Sequence, residues 1–223
     1  MARKQKIDNS ILRKFERKEK IREVGNREPK VYFLVVCEGE KTEPNYFNAL
    51  KNELPSNTLD VNIIGTGYNT LGLVEKAIIE KNKANKKYDS VWVVFDKDSF
   101  LKDSFDNAIN KANSNGIKCA WSNEAFELWY LLHFQFVSNK MTREYYKSFL
   151  EREFKNAGLN DFEYEKKSTN LYLLLSKYGN EKQAIENAKK LREMHVGTNF
   201  SNHNPCTYVD ILIYELRNPL SLL

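Results

Sequence analysis

The sequence has little of what usually settles a protein's class. There are three cysteines in 223 residues, Cys37, Cys119 and Cys206, and no two form a CxxC pair. An odd, scattered set argues against a disulfide framework or a structural zinc, and predicts a reducing cytoplasm. No apolar run approaches the roughly 20 residues that span a bilayer, so no membrane association is expected. The opening Met-Ala-Arg-Lys-Gln-Lys has no apolar stretch behind it, so no secretory leader is expected. Gly65-Thr66-Gly67 lacks the third glycine of a dinucleotide fingerprint and the Lys-Ser/Thr of a phosphate loop. It reads as a chain turn, with backbone N–H groups facing a phosphate as the alternative. Histidines number three. His133 follows an apolar helix and reads as a core or boundary residue. His195 and His203 flank a loop with no acid or cysteine at zinc-ligand spacing.

What is present is a folded composition, 41% hydrophobic and 13% aromatic, with an uneven charge. Residues 1–30 hold eleven lysines and arginines against five acids, a balance of +6, so the remaining 193 residues sum to −1 against a total of +5. A basic arm on a near-neutral body suits a polyanion such as nucleic acid. Ile7, Ile11, Leu12, Phe15, Ile21 and Val24 give the arm a weak helical stripe, and Arg13, Lys14, Arg17 and Lys18 are its candidate backbone contacts. The other reading is a solvated, partly helical tail. Pro29 marks the boundary, giving an arm over 1–29, an α/β core over 30–137 and a helical elaboration over 138–223.

The core alternates strand and helix four times. VYFLVVC (31–37) and SVWVVF (90–95) are near-continuous apolar runs of the kind buried on both faces of a parallel sheet. Shorter strands are predicted at 59–64 and 117–121. Helices are predicted at about 43–54, capped by Thr42 with Pro44 in the first turn, at 70–86, at 101–115, and from Glu124 with Ser122 or Asn123 as cap. The alternation predicts an α/β fold, a Rossmann-like parallel sheet flanked by helices with right-handed crossovers. Further helices are predicted at 141–155, 168–178, 181–195 and 206–216. The aromatics Phe126, Trp129, Tyr130 and Phe134 recur at helical spacing and read as core.

Ligands bind outside the carboxyl ends of parallel strands, and acids gather there. Glu38 follows the first strand, Asp96 and Asp98 the third, Glu124 and Glu127 the fourth. Hard oxygen ligands from separate segments on one rim are what Mg²⁺ or Mn²⁺ requires. Alternation along extended backbone points Asp96 and Asp98 the same way and Lys97 the other. Glu38 then completes a metal shell or acts as general acid/base on a metal-bound water. The competing readings are ordinary: Asp after a strand often caps a turn, and Glu40 and Glu43 suit the first turn of a helix. Cys37 stands near the acids in an apolar context and is not expected to be a nucleophile. Lys41 is placed to contact a phosphate or simply to face solvent.

The strings CEGEKTEPNYF, VFDKD, SNEAFELWYLLHF and NPCTYVDILI, in that order, resemble the RloB-like family over about Tyr32 to Leu216. The resemblance implies a Toprim-type fold and a Mg²⁺-dependent site built on Glu38, Asp96 and Asp98. It carries Thr42-Glu43 and Glu127 with them as supporting residues. Glu124-Ala125 stands where the family string is expected to have Pro-Cys, which leaves Glu124 secondary. The resemblance further implies a nuclease of antiviral defence or abortive infection, often restrained by an ATPase partner. The expected function is Mg²⁺-dependent phosphodiester hydrolysis of DNA or RNA, with Lys166, Lys167 and the arm holding the backbone. The alternative is a non-catalytic nucleic-acid- or partner-binding subunit.

Overall fold

The computed structural model describes residues 29–97 and 102–223. Four parallel strands form the sheet: β1 (Val31–Cys37), β2 (Leu59–Gly65), β3 (Ser90–Asp96) and β4 (Lys118–Asn123). Their order is β2-β1-β3-β4, with a fifth strand, β5 (Cys206–Thr207), beyond β4. The connections are α1 (Thr42–Lys51), α2 (Thr70–Lys83) and α3 (Lys102–Ser114). A short α4 (Glu127–Leu132) follows β4. Then come α5 (Arg143–Asn156), α6 (Leu171–Tyr178), α7 (Glu181–Glu193) and α8 (Val209–Arg217). The fold is an α/β sheet of the Rossmann and Toprim kind.

Alternation along β1 and β3 decides which helices cover which face. Phe33, Val35, Trp92 and Val94 pack into a core with α1 and α4 to α8, while Leu34, Val36, Val93 and Phe95 pack against α2 and α3. Two-sided burial explains why both strands are continuous apolar runs. Asp96 has the parity of Trp92 and Val94. Its side chain therefore rises on the face covered by α1 and the C-terminal helices.

Several elements differ from the sequence expectation. β5 falls where a helix was expected to begin: Cys206–Thr207 runs antiparallel to the end of β4, pairing Thr207 with Ser122 and Cys206 with Asn123. The helix starts three residues later, at Val209. Ser122 and Asn123 are strand residues, not caps, and α4 begins at Glu127. Thr42 is the first helical residue of α1 rather than its cap. Its hydroxyl donates instead to the Lys166 carbonyl (2.8 Å). The basic arm, with Arg13, Lys14, Arg17 and Lys18, lies outside the described residues, as does Asp98. Among the described residues no helix is long and apolar enough to cross a membrane.

Candidate functional site

β1 and β3 are neighbours. The chain leaves β1 towards β2 on one side and returns to β3 on the other, so the direction of winding reverses between them. In open α/β sheets the crevice at that reversal is where ligands bind. Here the crevice is a cleft of about 350 Å³ lined by Glu38, Gly39, Glu43, Gly67, Tyr68, Asn69, Asp96, Arg143 and Lys166.

Glu38 stands at the end of β1, where its backbone N–H donates to the Val94 carbonyl of β3 (2.9 Å). Its carboxylate accepts from the Asp96 backbone N–H (3.2 Å) and approaches the Thr70 hydroxyl at 3.5 Å. Asp96 and Glu43 are buried, at 7% and 6% exposure, and Glu127 is buried at 3%. Asp96 Oδ2 accepts from Arg143 Nη2 (2.9 Å), and Glu127 Oε1 accepts from the Tyr164 hydroxyl (2.7 Å). Asp96 Oδ1 and Glu43 Oε2 are buried with no hydrogen-bond partner among the described residues.

The carboxylates feel one another. Burial raises the Asp96 carboxyl well above the ordinary aspartate range, and Glu43 and Glu127 push it the same way, with Arg143 opposing and Glu38 adding a smaller push. Glu43 is raised by burial first and then by Glu127, against its own backbone hydrogen bond, Lys166 and Arg143. Like charges in a low-dielectric site disfavour full ionisation. Such clusters are frequent at functional sites. The packing is also tight: a Cβ on Gly39 would lie 2.1 Å from Glu43 Oε2. Glycine is thus what lets the Glu43 carboxylate reach the cleft.

The loop after β2 closes the other wall. Gly67, at φ +66°, donates its N–H to the Glu38 carbonyl (2.8 Å), and Thr66 donates its N–H to the Cys37 carbonyl (3.1 Å). The Gly-Thr-Gly turn is therefore stitched to the end of β1. Thr42 and Asn45 of α1 hold the loop before α6: Thr42 donates to the Lys166 carbonyl and Asn45 Nδ2 to the Lys167 carbonyl (3.0 Å). Lys166 lines the cleft, and Lys41 is exposed at the start of α1.

The structure thus brings Glu38, Glu43, Asp96 and Lys166 to the cleft, with Glu127 outside its lining but near enough to act on Asp96 and Glu43. Glu124 is half-buried and does not line the cleft. Among the described residues, no three His, Cys, Asp or Glu side chains already stand at the spacing that holds one ion. Arg143 occupies one oxygen of Asp96, and Tyr164 one of Glu127. The donor set nonetheless fits a hard divalent cation in kind. It is all oxygen, it is crowded with carboxylates, and two of its buried oxygens lack a partner among the described residues.

Sequence reasoning missed Arg143, Tyr164 and Tyr68. The first two come from the helical elaboration and the loop after α5, far from the acids in sequence, and no local spacing marks them. Cys37 is buried, and burial with Glu43 nearby raises its thiol well above the ordinary range, so it carries no nucleophile. His133 is buried, its Nδ1 lies 2.9 Å from the Trp129 carbonyl, and burial lowers it to about 4.

An α/β sheet with an acidic crevice at its winding reversal defines the class. A family model described as RloB-like protein matches residues 33–216, and the chain belongs to that family. No match is found among curated proteins or among solved structures.

Proposed function

We propose that the chain is a Mg²⁺-dependent nuclease that hydrolyses phosphodiesters of DNA or RNA, with Mn²⁺ as a working substitute. The observation that carries this reading is the meeting of Glu38, Glu43 and Asp96 at the β1/β3 crevice, with Glu127 close enough to act on Asp96 and Glu43, and with Asp96 Oδ1 and Glu43 Oε2 buried and without a partner among the described residues. Buried carboxylates without a cation would repel a phosphodiester, so the cluster makes sense for phosphate chemistry with a metal. When bound, the metal neutralises the acids, acidifies a water and offsets charge on the phosphoryl group.

Glu38 and Asp96 are the ligands, and Asp98, outside the described residues, is assigned with them. Glu43 and Glu127 support that shell, Glu127 being fixed by Tyr164. Glu38 doubles as general acid/base, since the Asp96 N–H already orients its carboxylate at the cleft floor. Arg143 neutralises Asp96 through Oδ2, the oxygen that a bound cation would compete for. Lys41, Lys166, Lys167 and the arm residues Arg13, Lys14, Arg17 and Lys18 hold the backbone without reading sequence. The setting, antiviral defence in the cytoplasm with an ATPase partner, rests on family resemblance.

A second reading, a non-catalytic nucleic-acid- or partner-binding subunit, is favoured by the Arg143–Asp96 ion pair, which neutralises the central acid without metal. Cleavage of plasmid, single-stranded DNA and bulk tRNA in Mg²⁺, Mn²⁺ or EDTA separates the two. Metal-dependent cleavage lost in Asp96→Asn supports the nuclease. Absence of metal binding in calorimetry, together with absence of cleavage, supports the binding subunit.

A further inference from the structure

The cleft carries a feature that metal chemistry does not need. Tyr68, in the loop between β2 and α2, lines the same cleft as Glu38, Asp96, Arg143 and Lys166, yet is 52% exposed. Among the described residues its ring has no aromatic partner, whereas Tyr46, Phe126, Tyr130 and Tyr172 pack ring on ring in the core. Leaving a large aromatic open to water forgoes the burial that stabilises the others.

The ring is not on a loose tip. Thr66 and Gly67 are tied to the end of β1, the Tyr68 N–H donates to the Thr66 hydroxyl (3.2 Å), and Asn69 caps α2 by accepting from the Gly72 N–H (3.0 Å). Tyr68 is therefore held in place between two anchored segments. Two cations, Arg143 and Lys166, line the same cleft, where a phosphate could meet them. At about 350 Å³ the space falls within the range of small-ligand pockets.

A platform for a base beside cations for a phosphate is how proteins hold single strands: every base has a π-face, and stacking does not depend on sequence. Bases within a duplex are already stacked on both faces and cannot use such a platform without unpairing. We propose that the cleft takes one unpaired nucleotide of a single strand or loop, its base stacked on Tyr68 and its phosphate between Arg143 and Lys166. This names the substrate class for the nuclease reading and rests on the same cleft, but it is a binding claim and stands or falls on binding.

The test measures binding in EDTA, with the full chain carrying Asp96→Asn, so that no oligonucleotide is cut and the Arg143–Asp96 ion pair is removed. Fluorescence anisotropy with 12-nucleotide single-stranded RNA, single-stranded DNA and the matching duplexes gives the affinities. Adding Tyr68→Ala is expected to weaken single-strand binding at least about fivefold. It should leave duplex binding, carried by the basic arm, within twofold, and Tyr68→Phe, which keeps the ring, should match its parent. The RNA and DNA arms tell which strand the cleft prefers. Single-strand binding that Tyr68→Ala leaves unchanged, or that weakens equally with duplex binding, overturns the proposal. If cleavage still depends on Asp96 in that case, the nuclease reading survives. If Tyr68 matters but no metal supports cleavage, the nucleotide site stands and the nuclease reading falls.

Discussion

Arg143, at the start of α5, reaches across the cleft to place its Nη2 2.9 Å from Asp96 Oδ2, at the end of β3. The two residues lie 47 positions apart, one on the parallel core and one on the helical elaboration. The aspartate end is buried and the arginine side chain is 35% exposed. Breaking a fully buried pair costs about 3–5 kcal/mol. Partial exposure lowers the expectation for Arg143→Met to about 1–3 kcal/mol, read from urea unfolding. The same variant is expected to bind Mn²⁺ more tightly in calorimetry, since the guanidinium no longer competes for Asp96. Unchanged stability together with weaker metal binding would contradict both halves.

Glu43 sets a pH dependence of defined sign. Its folded pKa is raised, so above the ordinary value of 4.5 the folded chain holds a proton that the unfolded chain has lost. Stability from this group is complete below that value and falls as pH rises through the raised pKa. His133 works the other way: lowered to about 4, it binds fewer protons folded than unfolded up to about 6.5, and adds stability as pH rises. Comparing the chain with Glu43→Gln isolates the first effect. The variant is expected to melt higher at neutral pH and to lose that advantage as the pH falls to about 4.5.

Gly39→Ala tests the close approach beneath Glu43. The added methyl meets a flexible carboxylate end rather than backbone, so the fold should survive with a loss under about 3 kcal/mol. The carboxylate itself must leave its place. Metal binding, followed by calorimetry, should weaken far more than the melting temperature suggests.

Tyr164→Phe removes the donor to Glu127 and leaves a buried carboxylate oxygen unpaired. The expected loss is about 1–3 kcal/mol in urea unfolding. Excess Mg²⁺ should restore part of it if Glu127 belongs to the metal shell.

Much of the parallel core could be read from sequence because its signals are local. β1 and β3 announce themselves as apolar runs, and Glu38 and Asp96 follow from where those runs stop. β5 could not be read: two residues carry no periodicity, and Cys206-Thr207 becomes a strand only because the end of β4 offers a ladder to it. Thr42 looked like a cap because its type and position suit one. Tertiary structure spends its hydroxyl on the Lys166 carbonyl instead. Arg143 and Tyr164 reach the acids only through the packing of the helical elaboration, a long-range outcome that no window of sequence contains.

That Thr42 contact, with Asn45 on the Lys167 carbonyl, does more than close a loop. It fastens the segment bearing Lys166 to the helix bearing Glu43. If Lys166 takes a phosphate as proposed, a pull on it would pass through these two hydrogen bonds to α1, and so to an acid that lines the cleft.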